Sequence, residues 1–467
     1  MTVRKKNNQT SSWIPKYISM ICALLLLMLI VVQGSVWLTK AAIFGSPRLS
    51  KGQIQTILEI SEFPRKLSGT FEGLFDLFTP FSDRILIPRK STISPEKFPT
   101  FPSADDPGFL LLSGLDSTLK SVVIKMIRIS DGSVEALWTP DWKDIVDRST
   151  PRMRDAGFGS KSAEALNPLL LDDGSVIFST GYSLVKMDAC GKEIHWVLQE
   201  EAHHSVEIDE TGGIWVPVSR GDGYSWSPWL KGQMRDDSIA HVSQDGAVIK
   251  TISVAGILER NGLLVALLGS QGLNLNNDPV HLNQISAAKA GSDHWKQGDL
   301  LLSLRHLSAV LLYRPSTDKV IWFKVGPWVH QHSAQFVGNH SISVFNNNAI
   351  SGVPQEEAFL PPSRINEVMV LDLRNGEVSQ PYSGLLESVR PMTVTGGRAQ
   401  ILNDGGLFIE ETEAARHLRF SATELLWTRD NVYDDRNLGV VSWSRYMEAS
   451  QAKLPLNSIR ARRCEQN

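Results

Sequence analysis

The strongest chemical signal in this chain is where its histidines stand. Four of the 11 histidines fall in three matching contexts. Ala202-His203-His204-Ser-Val-Glu-Ile-Asp209 is followed by Gly212-Gly-Ile-Trp-Val216. Asp278-Pro-Val-His281-Leu-Asn283-Gln-Ile285 is followed by Gly298-Asp-Leu-Leu-Leu-Ser303. Gln331-His332-Ser-Ala-Gln-Phe336 is followed by Gly338-Asn-His-Ser-Ile-Ser-Val-Phe345. Each time a histidine precedes a short segment, a glycine turn and an apolar strand. Arg305 comes directly after the strand that starts at Asp299. Imidazoles with one guanidinium, and no Cys, Asp or Glu among the expected ligands, suit either a metal ion or a tetrahedral oxyanion. A guanidinium is a planar donor fork that stays charged and matches sulfate or phosphate oxygens. It would oppose a metal cation, so the oxyanion is the expected ligand, with no metal and no cofactor. A neutral imidazole can also attack sulfur or phosphorus and form a covalent intermediate. Neighbouring donors would then neutralise charge on the transferring group.

Residues this far apart meet only if the fold brings them to one place. From about Phe109, short apolar or alternating runs are broken by Asp-Gly, Asn-Gly and Gly-Gly turns, which is the pattern of strands and hairpins. One phrase recurs six times: Asp131–Trp138, Ala189–Trp196, Gln244–Ile252, Thr317–Trp322, Asn375–Val378 and Ala422–Trp427. Each is a turn running into a strand, usually closed by Trp. The spacing, roughly 50–70 residues, holds four strands per unit, and radially repeated four-stranded sheets make a β-propeller. Radial closure also removes exposed sheet edges. The expected fold is therefore all-β, a six-bladed propeller, with a pair of large β-sandwiches as the alternative. In a propeller the innermost strand of each blade lines the central channel, so histidines from separate blades can converge at its mouth.

Composition fits a globular protein: 467 residues, 42% hydrophobic, 21% charged, formal net charge −3. This excludes a disordered chain and gives no basic excess for a nucleic-acid partner. Only three cysteines rule out a disulfide-dense scaffold, although Cys190 and Cys464 could pair in an oxidising compartment. No phosphate-cradling glycine loop, zinc-protease helix or nucleophile elbow is present. Residues 17–39 carry no charge until Lys40 and are long enough for a bilayer-spanning helix; Arg4, Lys5, Lys6 and Lys16 stand before them. The expected organisation is a cytoplasmic N-terminus over 1–16 and an uncleaved transmembrane anchor over 17–39. A helical juxtamembrane segment and Pro-rich linker follow over 40–105, then the propeller over 106–450 and a tail over 451–467. A cleaved signal peptide is the competing reading of the apolar run.

The phrases around His203-His204, Asp278 to Ile285, Gly298 to Arg305 and Gln331 to Phe336 resemble the bacterial arylsulfotransferase family. Asp236-Asp-Ser-Ile-Ala-His-Val242, Gly396 to Gly405 and Val441-Ser-Trp-Ser-Arg-Tyr446 add to the likeness, which runs from about Pro168 to Tyr446. The resemblance implies a six-bladed propeller that moves a sulfuryl group from a phenolic sulfate ester to a phenol, without a nucleotide sulfate donor. It implies His332 as the histidine that is sulfurylated, with Arg305, His281 and His204 binding sulfate oxygens. His203, Asn283 and Gln331 are expected to contact substrate. The partners implied are an aryl sulfate donor, a phenolic acceptor and, through the N-terminal helix, the membrane. The expected location is the bacterial inner membrane, single-pass, with the C-terminal domain in the periplasm. Two departures stand out. Residues 44–102 do not match a β-rich N-terminal domain, and Asn346-Asn-Asn348 stands where an Asp-Asn phrase is usual. The alternative function is a non-catalytic, membrane-anchored propeller that serves as a binding or assembly module; a quinone- or metal-dependent oxidoreductase is a more remote one.

Overall fold

The computed structural model describes residues 85–89, 99–155, 163–220, 234–270, 277–351, 355–462 and 464. Among them are six antiparallel sheets of four or five strands, the blades of a propeller, and one small two-stranded ribbon. Blade I takes its innermost strand, Arg445–Met447, from near the C-terminus; Phe109–Asp116, Ser121–Arg128 and Val134–Trp138 follow outward. Blade II runs from Leu166–Leu170 outward to Ile194–Leu198, and blade III from Glu207–Ile208 to Val248–Ser253. Blade IV runs from Leu282–Ala287 to Lys319–Val325, blade V from Ala334–Val337 to Val378–Ser379, and blade VI from Arg398–Ile401 to Leu425–Asp430.

The six recurring phrases land on the six outermost strands. Middle strands are mostly buried, at every position in Phe109–Asp116 and Leu300–Leu304, because each blade is covered by a neighbour on both faces. That is why they read as continuous apolar runs rather than alternating ones. Outer strands such as Lys319–Val325 are partly wet and mixed in character. The recurring Trp residues clasp one blade to the next. Trp138 Nε1 of blade I donates to Asp188 O in the outer hairpin of blade II, at 3.0 Å. Trp196 Nε1 of blade II donates to Gln244 O in the hairpin of blade III, at 3.1 Å. Trp427 Nε1 of blade VI donates to Asp106 Oδ2, just before blade I, at 2.9 Å. Each is an apolar body in an interblade seam with a satisfied polar tip.

Closure of the ring joins the two ends of the described chain. Phe109 pairs with Met447 and Leu111 with Arg445 in register. The helix Ala449–Ala461 follows at once. Its start is fixed by a capping box between Glu448 and Gln451, and it buries Ala452, Leu456 and Ile459. Cys190 and Cys464 are disulfide-bonded, which ties the end of this helix to the outer hairpin of blade II. The expected tail is therefore a docked helix. The Pro-rich stretch is also attached where it is described: Leu86–Pro88 pairs with Asn437–Gly439, and Phe101 N donates to Thr428 O at 2.9 Å. The expected anchor over 17–39 lies outside the described residues. Among the described residues, no helix is long and apolar enough to cross a membrane.

Candidate functional site at the propeller axis

Three consecutive blades present a histidine immediately before or at the start of the innermost strand. His204 precedes Glu207–Ile208, His281 precedes Leu282–Ala287, and His332 precedes Ala334–Val337. His204 and His281 hold left-handed backbone, with φ of 54° and 51°. So does Trp443, at φ 61°, where the chain approaches the innermost strand of blade I. A non-glycine residue in this region costs on the order of 1 kcal/mol or more, and such strain clusters at functional sites. At Trp443 the strain is held in place by a buried carboxylate. Glu410 accepts from Trp443 N and Ser444 N, both at 2.6 Å, and is itself fully buried.

The side chains converge. The rings of His204 and His281 have centroids 5.1 Å apart. Trp443 packs tilted against His204, at 5.8 Å, and edge-on against His332, at 5.9 Å. Arg305 sits on the turn that ends the strand Leu300–Leu304, and its Nη1 lies 2.9 Å from His306 Nε2. Burial, the nearby Arg305 charge and His281 hold the His332 imidazole down to about 3, while its bond to Asn347 works the other way. His204 is pushed down by burial and by the charges of His203, His281 and His332. The four residues implied as machinery therefore feel one another, although they span positions 204 to 332 in the chain.

Each ring has a partner that sets its hydrogen. Asn347 Nδ2 donates to Thr393 O at 3.0 Å and to Gly396 O at 2.7 Å, which forces Asn347 Oδ1 toward His332 Nδ1, 2.6 Å away. An amide oxygen can only accept, so His332 Nδ1 carries the hydrogen and Nε2 carries the lone pair. His332 is 1% exposed, and its Nε2 is buried with no hydrogen-bond partner. A neutral imidazole with a bare, desolvated Nε2 is a poised nucleophile. His281 Nδ1 lies 2.6 Å from Asp278 Oδ2, so it donates there and its Nε2 is the free nitrogen. Burial outweighs that carboxylate and keeps His281 below its ordinary range. Arg305 Nε is also buried without a partner, and burial lowers the guanidinium only against the pull of Asp278 and Glu413.

The remaining expected residues divide. His203 is buried, with Nδ1 2.7 Å from His204 Nδ1 and Nε2 3.4 Å from Asp237 Oδ1. Asn283 Nδ2 donates to Gln331 O at 3.0 Å and leaves Oδ1 without a partner. Gln331 spends its amide nitrogen on Ser303 Oγ, Leu304 O and Ala309 O, bracing blade IV. The cluster is not free of carboxylates, contrary to the sequence expectation. Asp278, His281 and His306 place one ligand atom each within 4.8 Å of one another, a reach that would suit a metal ion. Both His306 nitrogens are engaged instead: Nδ1 with Asp278 O at 2.5 Å, and Nε2 with the Arg305 guanidinium, which opposes a cation there. The sequence alone gives no role to Asn347, Trp443, His306, Asp278 and Asp237; the last four lie within or beside phrases that carry the resemblance, whereas Asn347 lies in the Asn346-Asn-Asn348 run where the chain departs from it.

The arylsulfotransferase (ASST) sequence profile matches residues 167–431, more than half of the chain. The chain belongs to the arylsulfotransferase family. That membership, with the six-bladed propeller, supports an arylsulfotransferase-like role and a transferase of the sulfotransferase type. No curated protein matches the chain in sequence. Solved structures similar in fold include a protein of unknown function from Bacteroides caccae, at 12% identity and TM-score 0.45, covering 73% of this chain and 99% of that one. A catalytically inactive virginiamycin B lyase from Staphylococcus aureus with quinupristin is 10% identical, with TM-score 0.32 over 56% of this chain and 67% of that one. TolB from Acinetobacter baumannii is 9% identical, with TM-score 0.36 over 73% and 66%.

Proposed function

We propose that the axial site transfers a sulfuryl group from a phenolic sulfate ester to a phenol through a sulfohistidine on His332. The observation that carries this reading is the bare, buried Nε2 of His332 opposite an Nδ1 locked by Asn347. In the first half-reaction Nε2 attacks sulfur in line, the S–O bond to the aryl group breaks, and a phenolate leaves. A phenolate leaves readily because phenols ionise near pH 10. Arg305, beside His306, offers its fork to the equatorial oxygens, whose charge it matches. His204 and His281 flank the same oxygens, and Trp443 walls the site between His204 and His332. In the second half-reaction an acceptor phenol attacks the sulfur and Nε2 leaves. No nucleotide donor and no metal takes part in this scheme. Asn347 acts through His332 and is a positioning residue.

We also place this propeller on the exported side of the bacterial inner membrane. The basic flank at Arg4, Lys5, Lys6 and Lys16 supports that orientation, and the Cys190–Cys464 bond suits an oxidising compartment.

The test is turnover of a chromogenic aryl sulfate with a phenol acceptor by the wild type, and its loss in His332→Ala. Transfer at the wild-type rate by His332→Ala would remove this mechanism.

A further inference from the structure

Behind His204 stands a second histidine that sulfuryl transfer by His332 does not require. His203 Nδ1 and His204 Nδ1 are 2.7 Å apart, so one hydrogen lies between them and one ring donates to the other. On its far side His203 faces Asp237, a carboxylate that is 1% exposed. Asp237 is anchored from two directions. Leu282 N donates to Oδ2 at 2.7 Å, and Arg235 Nε lies 3.3 Å from Oδ1. Burial would raise the Asp237 carboxyl, but His203, Arg235 and the Leu282 N–H more than offset it, so the group stays ionised. With Arg235 also beside it, the Asp237 carboxylate keeps a cationic partner when His203 is neutral. Among the described residues, Arg235, His281 and His332 act electrostatically on His204, and Arg235 and Asp278 on Asp237.

We propose that His203 and Asp237 form a proton store behind His204, filled by the acceptor phenol and emptied by the phenolate that leaves the donor. This rests on the sulfuryl-transfer reading above. With the store full, His203 is an imidazolium: Nε2–H faces Asp237 and Nδ1–H donates to His204 Nδ1. His204 then carries its hydrogen on Nε2 and can donate to a sulfate oxygen. When the donor's S–O bond breaks, the phenolate takes the Nε2 hydrogen of His204, and His203 passes its Nδ1 hydrogen to His204 Nδ1. His203 is left neutral and His204 presents a bare Nε2. In the second half-reaction the acceptor's O–H proton goes to His204 Nε2, and the Nδ1 hydrogen returns to His203. One proton leaves and one returns per turnover, so the cycle balances with no other acid or base. The buried histidine pair thus changes His204 from donor to acceptor between the two half-reactions. Burial disfavours the cation on His204 and pushes its ring well below the ordinary imidazole range.

The experiment compares wild type, His203→Gln and Asp237→Asn over a series of donors and acceptors whose phenols differ in pKa. Glutamine can still hydrogen-bond to His204 but cannot carry a proton, and asparagine keeps an acceptor for Leu282 N. Two rates are read: formation of the His332 adduct from a nitrophenyl sulfate, whose anion leaves unaided, and turnover to a phenol of pKa about 10. Adduct formation is expected to fall less than about 10-fold in both variants, while turnover to the weakly acidic phenol falls about 100-fold or more, the scale of general acid–base assistance. The loss should grow steadily as the phenol becomes less acidic. A merely structural role would slow all phenols alike. Equal loss across the series in both variants, with the adduct still formed by wild type, overturns the proton store and leaves sulfuryl transfer standing. Absence of any His332 adduct in wild type overturns the transfer reading and the store together.

Discussion

Replacing Asn347 with leucine removes the acceptor that keeps the hydrogen on His332 Nδ1. The side chain keeps its approximate volume, so the perturbation is almost purely polar. Three hydrogen bonds go: to His332 Nδ1 at 2.6 Å, Thr393 O at 3.0 Å and Gly396 O at 2.7 Å. Thr393 O keeps a donor, because Asn366 Nδ2 also reaches it at 2.9 Å. Gly396 O and the His332 N–H lose the bonds described here, and a buried unsatisfied group costs about 1–3 kcal/mol. A stability loss of about 2–5 kcal/mol follows, which a protein stable by about 5–15 kcal/mol can survive. The catalytic effect should be larger. Without its acceptor, His332 can shift its hydrogen to Nε2 and lose the lone pair that attacks sulfur. Where a tautomer lock of this kind is broken in serine proteases, the rate falls about 10⁴-fold; we expect about 10²–10⁴ here. Asn347→Asp is the control, since a carboxylate still accepts from Nδ1. It should keep far more activity than Asn347→Leu and move the acid limb of the pH–rate profile upward, as a neighbouring anion favours the imidazolium. The assay is the burst of phenolate from a chromogenic aryl sulfate, with circular dichroism to verify folding. A folded Asn347→Leu that bursts within three-fold of wild type, about 0.7 kcal/mol in the barrier, would refute the tautomer argument.

Further outcomes follow from the same geometry. Arg305→Lys keeps the charge but loses the fork, and kcat/KM for aryl sulfates should fall about 10²–10³-fold; steady-state kinetics reads this, and an unchanged value would remove Arg305 from the oxyanion site. Stability should fall as pH falls from about 6.5 toward 4, because buried His204, His281 and His332 refuse protons that the unfolded chain accepts. Each such group contributes up to about 1.4 kcal/mol per pH unit in that window, so denaturant midpoints for His332→Gln should vary less steeply with pH than those of wild type. Reducing the Cys190–Cys464 bond should lower stability by about 2–4 kcal/mol, read as a drop in Tm, because the innermost strand of blade I and its docked helix lose their staple. Trp427→Phe should cost about 1 kcal/mol through the lost bond to Asp106, with catalysis unchanged.

Much of the fold was legible because one physical device repeats. A turn, an outer strand and a Trp whose indole clasps the next blade leave a sequence phrase at Trp138, Trp196 and Trp427. Blades III and V are marked less clearly, since Ile252 and Val378 stand where Trp stands elsewhere. The borrowed strand of blade I was not legible at all. Arg445–Met447 is too short to announce itself, and its partner Phe109–Leu111 lies more than three hundred residues away. In the site, His204, His281 and His332 were visible because each stands at the same step of its blade. Their supporting groups were hidden for a physical reason. Asn347 meets His332 only because neighbouring inner and second strands pair, and Glu410 reaches Trp443 across the ring closure. Asp278 was the exception: its spacing of three from His281 was in plain view, and the resulting bond orients that ring.

In the proposed reaction one imidazole nitrogen carries the sulfuryl group. The direct measurement is mass analysis of the full-length protein quenched on mixing with an aryl sulfate in the absence of acceptor. The expected result is one acid-labile sulfuryl increment on the peptide containing His332, formed as fast as phenolate appears and discharged when a phenol is added. Phenolate release with no increment on that peptide, or with an increment on another residue, would contradict it.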